Sequence, residues 1–337
     1  MLDAELFLDQ PATVAARQRV RAFLQRVLEK AVRVEAPMTP AAKREPVHDF
    51  RVAIRRLRAW LRAWRPQLMD AELRKTERRF RSISRVAGRA RDLEVQRAVI
   101  VAKYSRGSPV VAAGARWIAE RANAEYGVAR RELAMVLLRD LGPAAARLHE
   151  ELERPVPAGP VETARPETAA SVMARQLSAH VVALPALLRR VRSAKHVTAA
   201  HEVRIAVRRF RYALDSISGF TPDVDLAAGY LVKLQDRLGD LHDSHVLEAQ
   251  ITALADGESS PAAAAVPMLE LIALRTRVRL RIAREYQRVT RTIADPERRS
   301  AMAAVRRVIR SLGAISDPPQ ELDAAAAIHQ LVPTVPK

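Results

Sequence analysis

Residues 48–58 read HDFRVAIRRLR and residues 201–211 read HEVRIAVRRFR. Six of the eleven positions are identical and the other five are conservative exchanges, so one basic motif occurs twice. An α-helix advances about 100° per residue, which brings His48, Arg51, Arg55, Arg58 and Arg62 within about 80° of one another. His201, Arg204, Arg208 and Arg211 make the matching stripe in the second copy. Such a stripe is suited to charge-assisted hydrogen bonding to phosphate oxygens, and each imidazole can donate one bond more. From His48 to Arg58 it measures about 15 Å at about 1.5 Å per residue, a length that suits an extended anion better than a single phosphate. A solvated helical face normally mixes signs at i,i+4. This one stacks cations with no acid among them through Arg62, so an external anion is expected to balance it. In the second copy Asp215 follows one turn on and is expected to end the strip.

The helices that carry these stripes need an anchor, and each has one. Phe50, Ile54, Leu57, Leu61 and Trp64 occupy the opposite face of the first, and Val203, Val207, Phe210 and Leu214 that of the second. Trp60, Trp64 and Phe210 therefore read as core rather than as stacking platforms. A second pair of segments follows in the same order: VAGRARDLEV at 86–95 matches RLGDLHDSHV at 237–246, with Gly88 on Gly239 and Asp92 on Asp243. Two motifs at nearly one spacing predict two domain-sized repeats packed about a pseudo-two-fold axis. The two glycines are expected to permit a bend or a close helix approach. Asp92 and Asp243 read either as N-caps of a following helix or as carboxylates that orient a stripe residue, and the sequence leaves both open. Lys233 and Arg237, one turn apart before Gly239, and Arg91 before Asp92 are further candidate phosphate contacts.

The 337 residues carry few glycines, 11 in all, and are rich in strong helix formers, which predicts an all-α chain. Prolines at 155, 157, 160 and 166 mark a linker over 154–168 between a first repeat, 1–153, and a second, 169–315; residues 316–337 read as a weakly ordered tail. Periodicity predicts helices near 12–35, 46–65, 70–87, 90–105, 110–138 and 143–153, then near 168–194, 198–218, 223–240, 242–255, 262–291 and 296–313, with a kink at Pro185. A formal charge of +19 points to a polyanionic partner: phosphate polymer, nucleic acid or an anionic membrane surface. Of the 57 basic residues 50 are arginine, a bias that suits bidentate phosphate contacts but follows equally from a GC-rich genome, so it carries little weight. The absence of cysteine excludes disulfides, thiolate metal sites and cysteine nucleophiles. No stretch reads as a membrane span and the amino terminus lacks a secretory pattern, which makes the cytoplasm the default address.

These residues resemble the CHAD family, the conserved histidine α-helical domain: a histidine opening an arginine-rich helix, then LG-x-x-[RN]-D-x-x-V, both repeated once. The likeness runs from about residue 12 to 313. It implies two helical-bundle repeats whose basic helices line a central groove or pore that binds inorganic polyphosphate, with targeting to polyphosphate granules. By position, His48, Arg51, Arg55 and Arg58 match the first motif, His201, Arg204, Arg208 and Arg211 the second, and Lys233 the basic position before LG. Ala87-Gly88 and His242-Asp243 depart from the pattern. Some relatives carry a fused triphosphatase domain of the CYTH type, and no acidic, strand-rich segment is left here for one.

Two other classes compete. The dipeptides His48-Asp49 and His242-Asp243 suggest a metal-dependent phosphohydrolase of the HD type, but their repeat counterparts are His201-Glu202 and Arg91-Asp92, so no such pair survives duplication. Nucleic-acid binding is the stronger rival, because arginine contacts to phosphate dominate affinity for any backbone. Against it stand 14 aromatic residues, mostly on apolar faces, and no helix-turn-helix or zinc signature. The expectation is a non-enzymatic polyphosphate binder with no metal, no cofactor and no protein partner named by the sequence.

Overall fold

Periodic apolar faces and scarce glycine make a chain of helices, and the computed structural model describes residues 4–35, 46–68, 71–155, 167–256 and 267–315. Among these residues there is no β-strand, as an all-α reading requires. Most of the proline-rich segment and the tail at 316–337 lie outside the described residues. The helices divide between two compact units. An amino-terminal unit takes residues 11–105 and 115–166, and a carboxy-terminal unit takes 1–10, 106–114 and 167–337.

The amino-terminal unit is built from α2 (Ala12–Glu35), α3 (Pro46–Ala63), the short α4 (Arg65–Leu68), α5 (Ala71–Tyr104), most of α6 (Pro109–Val136), and α7 (Gly142–Glu153). Pro46 sits where a helix has no N–H to lose and Asp49 complements the helix dipole in the first turn, which starts α3 in the right register. α3 packs between α2 and α5. Phe50, Ile54, Leu57, Leu61 and Trp64 are buried, as are Phe80, Ile83 and Ala87 of α5 and Val20, Leu24 and Val27 of α2. Each large apolar side chain so buried contributes about 1.5–3 kcal/mol. Trp60 stacks on Trp64 with ring centroids 4.8 Å apart, and its indole N–H donates to the Ala16 carbonyl at 3.3 Å, so both tryptophans belong to the core.

The carboxy-terminal unit holds α1 (Ala4–Leu8), α8 (Ala169–Arg190), α9 (Val197–Asp215), α10 (Pro222–Ala255), α11 (Met268–Ala294) and α12 (Pro296–Ile315). Here α10 is central and packs on α9, α11 and α12, while α8 packs on α9 and α12. Thr168 caps α8 by accepting the Ser171 N–H at 3.2 Å. The α9–α10 turn uses Gly219 at φ 86°, a conformation that glycine alone adopts freely. Val203, Val207, Phe210 and Leu214 of α9 are buried with Leu231, Leu234, Leu238 and Leu241 of α10.

Three expectations change. The predicted breaks at Gly88 and Gly239 do not occur: α5 and α10 each run unbroken for 34 residues, because packing on both sides outweighs the roughly 1 kcal/mol helical cost of one glycine. The helix predicted to end near 138 continues through a π-helical turn, Leu137–Leu141, into α7. Pro143 has no N–H to return to the turn before it, and the ladder widens there. Finally, α8 is long and apolar enough to cross a membrane by length and composition, which the sequence reading had excluded for every stretch; 61% of its most apolar window is buried within the structure. Pro185 lies inside α8.

Candidate functional site

In the amino-terminal unit the stripe on α3 is faced by a second polar stripe on α5. Glu77, Arg81, Ser84, Arg85, Gly88, Arg91 and Asp92 recur at three- and four-residue spacing along α5, and this becomes one face only because the helix is continuous. Arg51 pairs with Asp92 at 3.1 Å. Arg58 donates to the Ser84 hydroxyl at 3.1 Å. Glu77 takes Arg62 at 3.6 Å and Arg65 at 2.6 Å. A Cβ on Gly88 would stand 3.9 Å from Arg51 Nε, an ordinary van der Waals contact, so the Arg51 guanidinium lies beside this position without requiring a glycine there.

The expected absence of acids therefore holds along the stripe itself, with Asp49 turned off it toward Lys30, while carboxylates arrive from α5. They do not balance the cluster. Burial, then Arg62, Arg81 and Arg85, push the Arg58 guanidinium down to about 10 despite the pull of Glu77. At the head of the stripe, burial and the charge of Arg91 lower the His48 pKa, with smaller pushes from Arg55 and Arg51 and an opposing pull from Asp49. Arg91 is held in turn by the buried carboxylate of Glu94, which also accepts from the Tyr126 hydroxyl at 3.5 Å.

The carboxy-terminal unit repeats the arrangement with different side chains. Arg211 donates to the Gln235 side chain at 3.1 Å, as Arg58 does to Ser84, and Ser84 and Gln235 hold equivalent places before Gly88 and Gly239. His201 meets the ring of His242 at 5.2 Å, where His48 meets the charge of Arg91. Asp49 pairs with Lys30 of α2 at 3.2 Å, and its counterpart Glu202 with Arg190 of α8 at 2.5 Å. The His201 pKa is lowered by burial and then by Arg204 and Arg208, against the pull of Glu202. Asp215 pairs with Arg211 at 3.4 Å and closes the strip where the sequence put its end.

Of the further candidates, Asp92 and Asp243 lie inside α5 and α10, so neither is an N-cap; Asp92 is the carboxylate partner of Arg51. Arg237 makes no ion pair with a described residue. Lys233 is committed elsewhere: Asp295 at 3.2 Å and Glu297 at 2.7 Å hold it at the start of α12 and raise its pKa. Arg81, Arg85, Glu77, Ser84 and Gln235 escaped the sequence reading. The signal for them is the spacing 77, 81, 84, 88, visible once residues 71–104 are read as one helix. Among the described residues no three histidine, aspartate or glutamate side chains gather as a metal site.

The chain's fold has known counterparts. It aligns with the CHAD domain crystal structure from the plant Ricinus communis at a TM-score of 0.61 and 21% identity, covering 92% of this chain and 94% of that one. It aligns with PptA from Streptomyces chartreusis at a TM-score of 0.61 and 17% identity, covering 85% of this chain and 100% of that one. No curated protein matches it. The family model of the CHAD domain matches residues 22–252, a span that contains both histidine helices, all of α5 and all but the last three residues of α10. The chain belongs to the CHAD family.

Proposed function

We propose that this protein binds inorganic polyphosphate without turning it over, through His48, Arg51, Arg55 and Arg58 in one unit and His201, Arg204, Arg208 and Arg211 in the other. Arg91 and Arg237 extend the two faces. The observation that carries the reading is the crowding of cations around Arg58, where α5 adds Arg81 and Arg85 to a stripe that already lacks internal acids. Such a cluster is costly for a protein alone and is relieved by a chain of phosphates. The duplicated pairing of Arg58 with Ser84 and Arg211 with Gln235 supports the same use of both units, since a neutral side chain orients the matching guanidinium in each, with Asp215 pairing Arg211 as well. The proposal includes the shared groove that the family resemblance implies, with repeats about a pseudo-two-fold axis and one polymer reaching both stripes. It also includes a cytoplasmic place on polyphosphate granules.

The test is the double variant Arg55→Ala with Arg208→Ala, measured by polyphosphate titration and circular dichroism. Two charge-assisted contacts at about 1.5–3 kcal/mol each predict at least a hundredfold weaker binding with helicity intact. Unchanged affinity would refute the site assignment.

A further inference from the structure

We infer that the amino-terminal unit holds a pocket for a nucleoside phosphate on the flank of α3 beside the cationic stripe, sharing His48 and Arg91 with it and so resting in part on the polyphosphate reading. A cavity of about 560 Å³ lies there, lined from α2, α3 and Arg91 of α5, a size typical of small-ligand sites, which run about 300–1,000 Å³. On α3, Asp49, Val52, Ala53 and Arg56 occupy the arc between the stripe and the core, and all four line the cavity.

The lining has two characters. Val52, Ala53 and Phe23 form an apolar wall, and the Phe23 ring is set by Trp60, 5.8 Å away and tilted by 54°. Arg26, Lys30, Arg56 and Arg91 bring cations to the same space, and His48 at the head of the stripe borders it. Asp49 is the one acid in the lining and is already taken by Lys30 at 3.2 Å. Arg26 makes no ion pair with a described residue, and its charge, after burial, depresses the pKa of Arg19 about two turns away on α2. A bare phosphate polymer gains nothing from an apolar wall. A ligand with a flat ring and a phosphate tail uses both halves: the ring against Phe23, Val52 and Ala53, the phosphates among the cations.

The duplicated unit has closed the same flank. The residues matching Ala53 and Arg56 are Ala206, which is buried, and Arg209, whose charge acts on the buried His180 stacked on Phe210. Ala53 stays partly open. The open apolar flank is thus a feature of one half of a duplicated chain, while His48, which borders it, belongs to the basic motif both halves share.

The test is isothermal titration of the full chain with adenosine triphosphate, inorganic tripolyphosphate and adenosine, for the wild type and three variants. Ala53→Phe fills the apolar wall and removes no charge, Arg26→Gln removes one exposed cation, and Arg55→Ala with Arg58→Ala removes stripe residues that do not line the cavity. The expected result is that adenosine triphosphate binds about tenfold tighter than tripolyphosphate, reflecting burial of the ring. Ala53→Phe should weaken the nucleotide at least tenfold and shift tripolyphosphate less than about twofold. The stripe variant should do the reverse. Should Ala53→Phe lose helicity, Arg26→Gln carries the test, with about a fivefold loss for the nucleotide. Nucleotide binding no tighter than tripolyphosphate, or insensitive to both pocket variants, overturns the inference. Failure of the polyphosphate reading would instead leave polyphosphate binding unchanged in the stripe variant, whatever the nucleotide does.

Discussion

Replacing Arg58 with methionine should make the free protein more stable and the polyphosphate complex weaker. Arg58 is partly buried on α3, and its pKa is pushed down to about 10 by burial and by Arg62, Arg81 and Arg85. A free arginine titrates well above that, and the difference corresponds to about 3 kcal/mol at roughly 1.4 kcal/mol per tenfold change. Solvent reaching the rim of the cluster reduces that to about 1 kcal/mol. The sign follows from the protons bound. From about pH 10 up to the ordinary arginine range the unfolded chain holds this proton more tightly than the folded one, so stability rises with pH across that window. Below it the penalty is present in full. Methionine keeps the packed stem and removes the charge, and the buried Ser84 hydroxyl, losing one donor, can turn back on its own helix. At pH 7.5 the variant should melt about 2–4 °C higher. Its affinity for long-chain polyphosphate should fall about five- to tenfold, with the salt dependence shallower by about 0.7 in logarithmic slope, the share of one phosphate contact. Saturating polyphosphate should therefore raise the melting temperature of the wild type more than that of the variant. A variant that melts lower and binds as well as the wild type would show that Arg58 is a structural residue and refute the reasoning.

The remaining predictions concern other parts of the molecule. A Cβ at Gly114 would stand 2.7 Å from the Glu270 backbone carbonyl of α11, so Gly114→Ala should cost about 1–3 kcal/mol in thermal unfolding, while Gly88→Ala, with its nearest neighbour at 3.9 Å, should be tolerated. His48 and His201 both titrate below the ordinary histidine value, and adjacent phosphates favour their charged forms; binding takes up protons, and affinity should rise as pH falls from 8 toward 5.5. The variant His48→Gln with His201→Gln should flatten that profile. Lys233 is engaged by Asp295 and Glu297, so Lys233→Ala should change polyphosphate affinity less than about twofold, and a large loss would return it to the binding face.

The two stripes were legible because a helix of 3.6 residues per turn converts sequence spacing into one face, and because the chain states the pattern twice. The core followed by the same rule: Phe50, Ile54, Leu57 and Leu61 are buried opposite the arginines. What faces the stripes was legible only in part. Asp92 was one of two readings, an orienting carboxylate or a cap, and it does pair with Arg51; Glu77 reaches Arg62 from α5 without a signal, because a periodicity argument sees only neighbours on its own helix. The glycines misled for a related reason. Gly88 and Gly239 read locally as breaks, whereas the sum of tertiary contacts along 34 residues keeps each helix whole. Reading α5 as two helices then hid the face on which Arg81, Ser84 and Arg85 line up. Lys233 looked free because its acids lie some 60 residues onward, at the start of α12.

The central claim is tested most directly by binding to long-chain inorganic polyphosphate across a salt series, with single-stranded DNA and heparin as competitors at matched charge concentration. Every one of these polyanions should show steep salt dependence. The account predicts that polyphosphate binds much more tightly than either competitor and that His48→Gln with His201→Gln loses that margin. DNA binding as tightly or more tightly than polyphosphate would contradict it and assign the basic faces to nucleic acid.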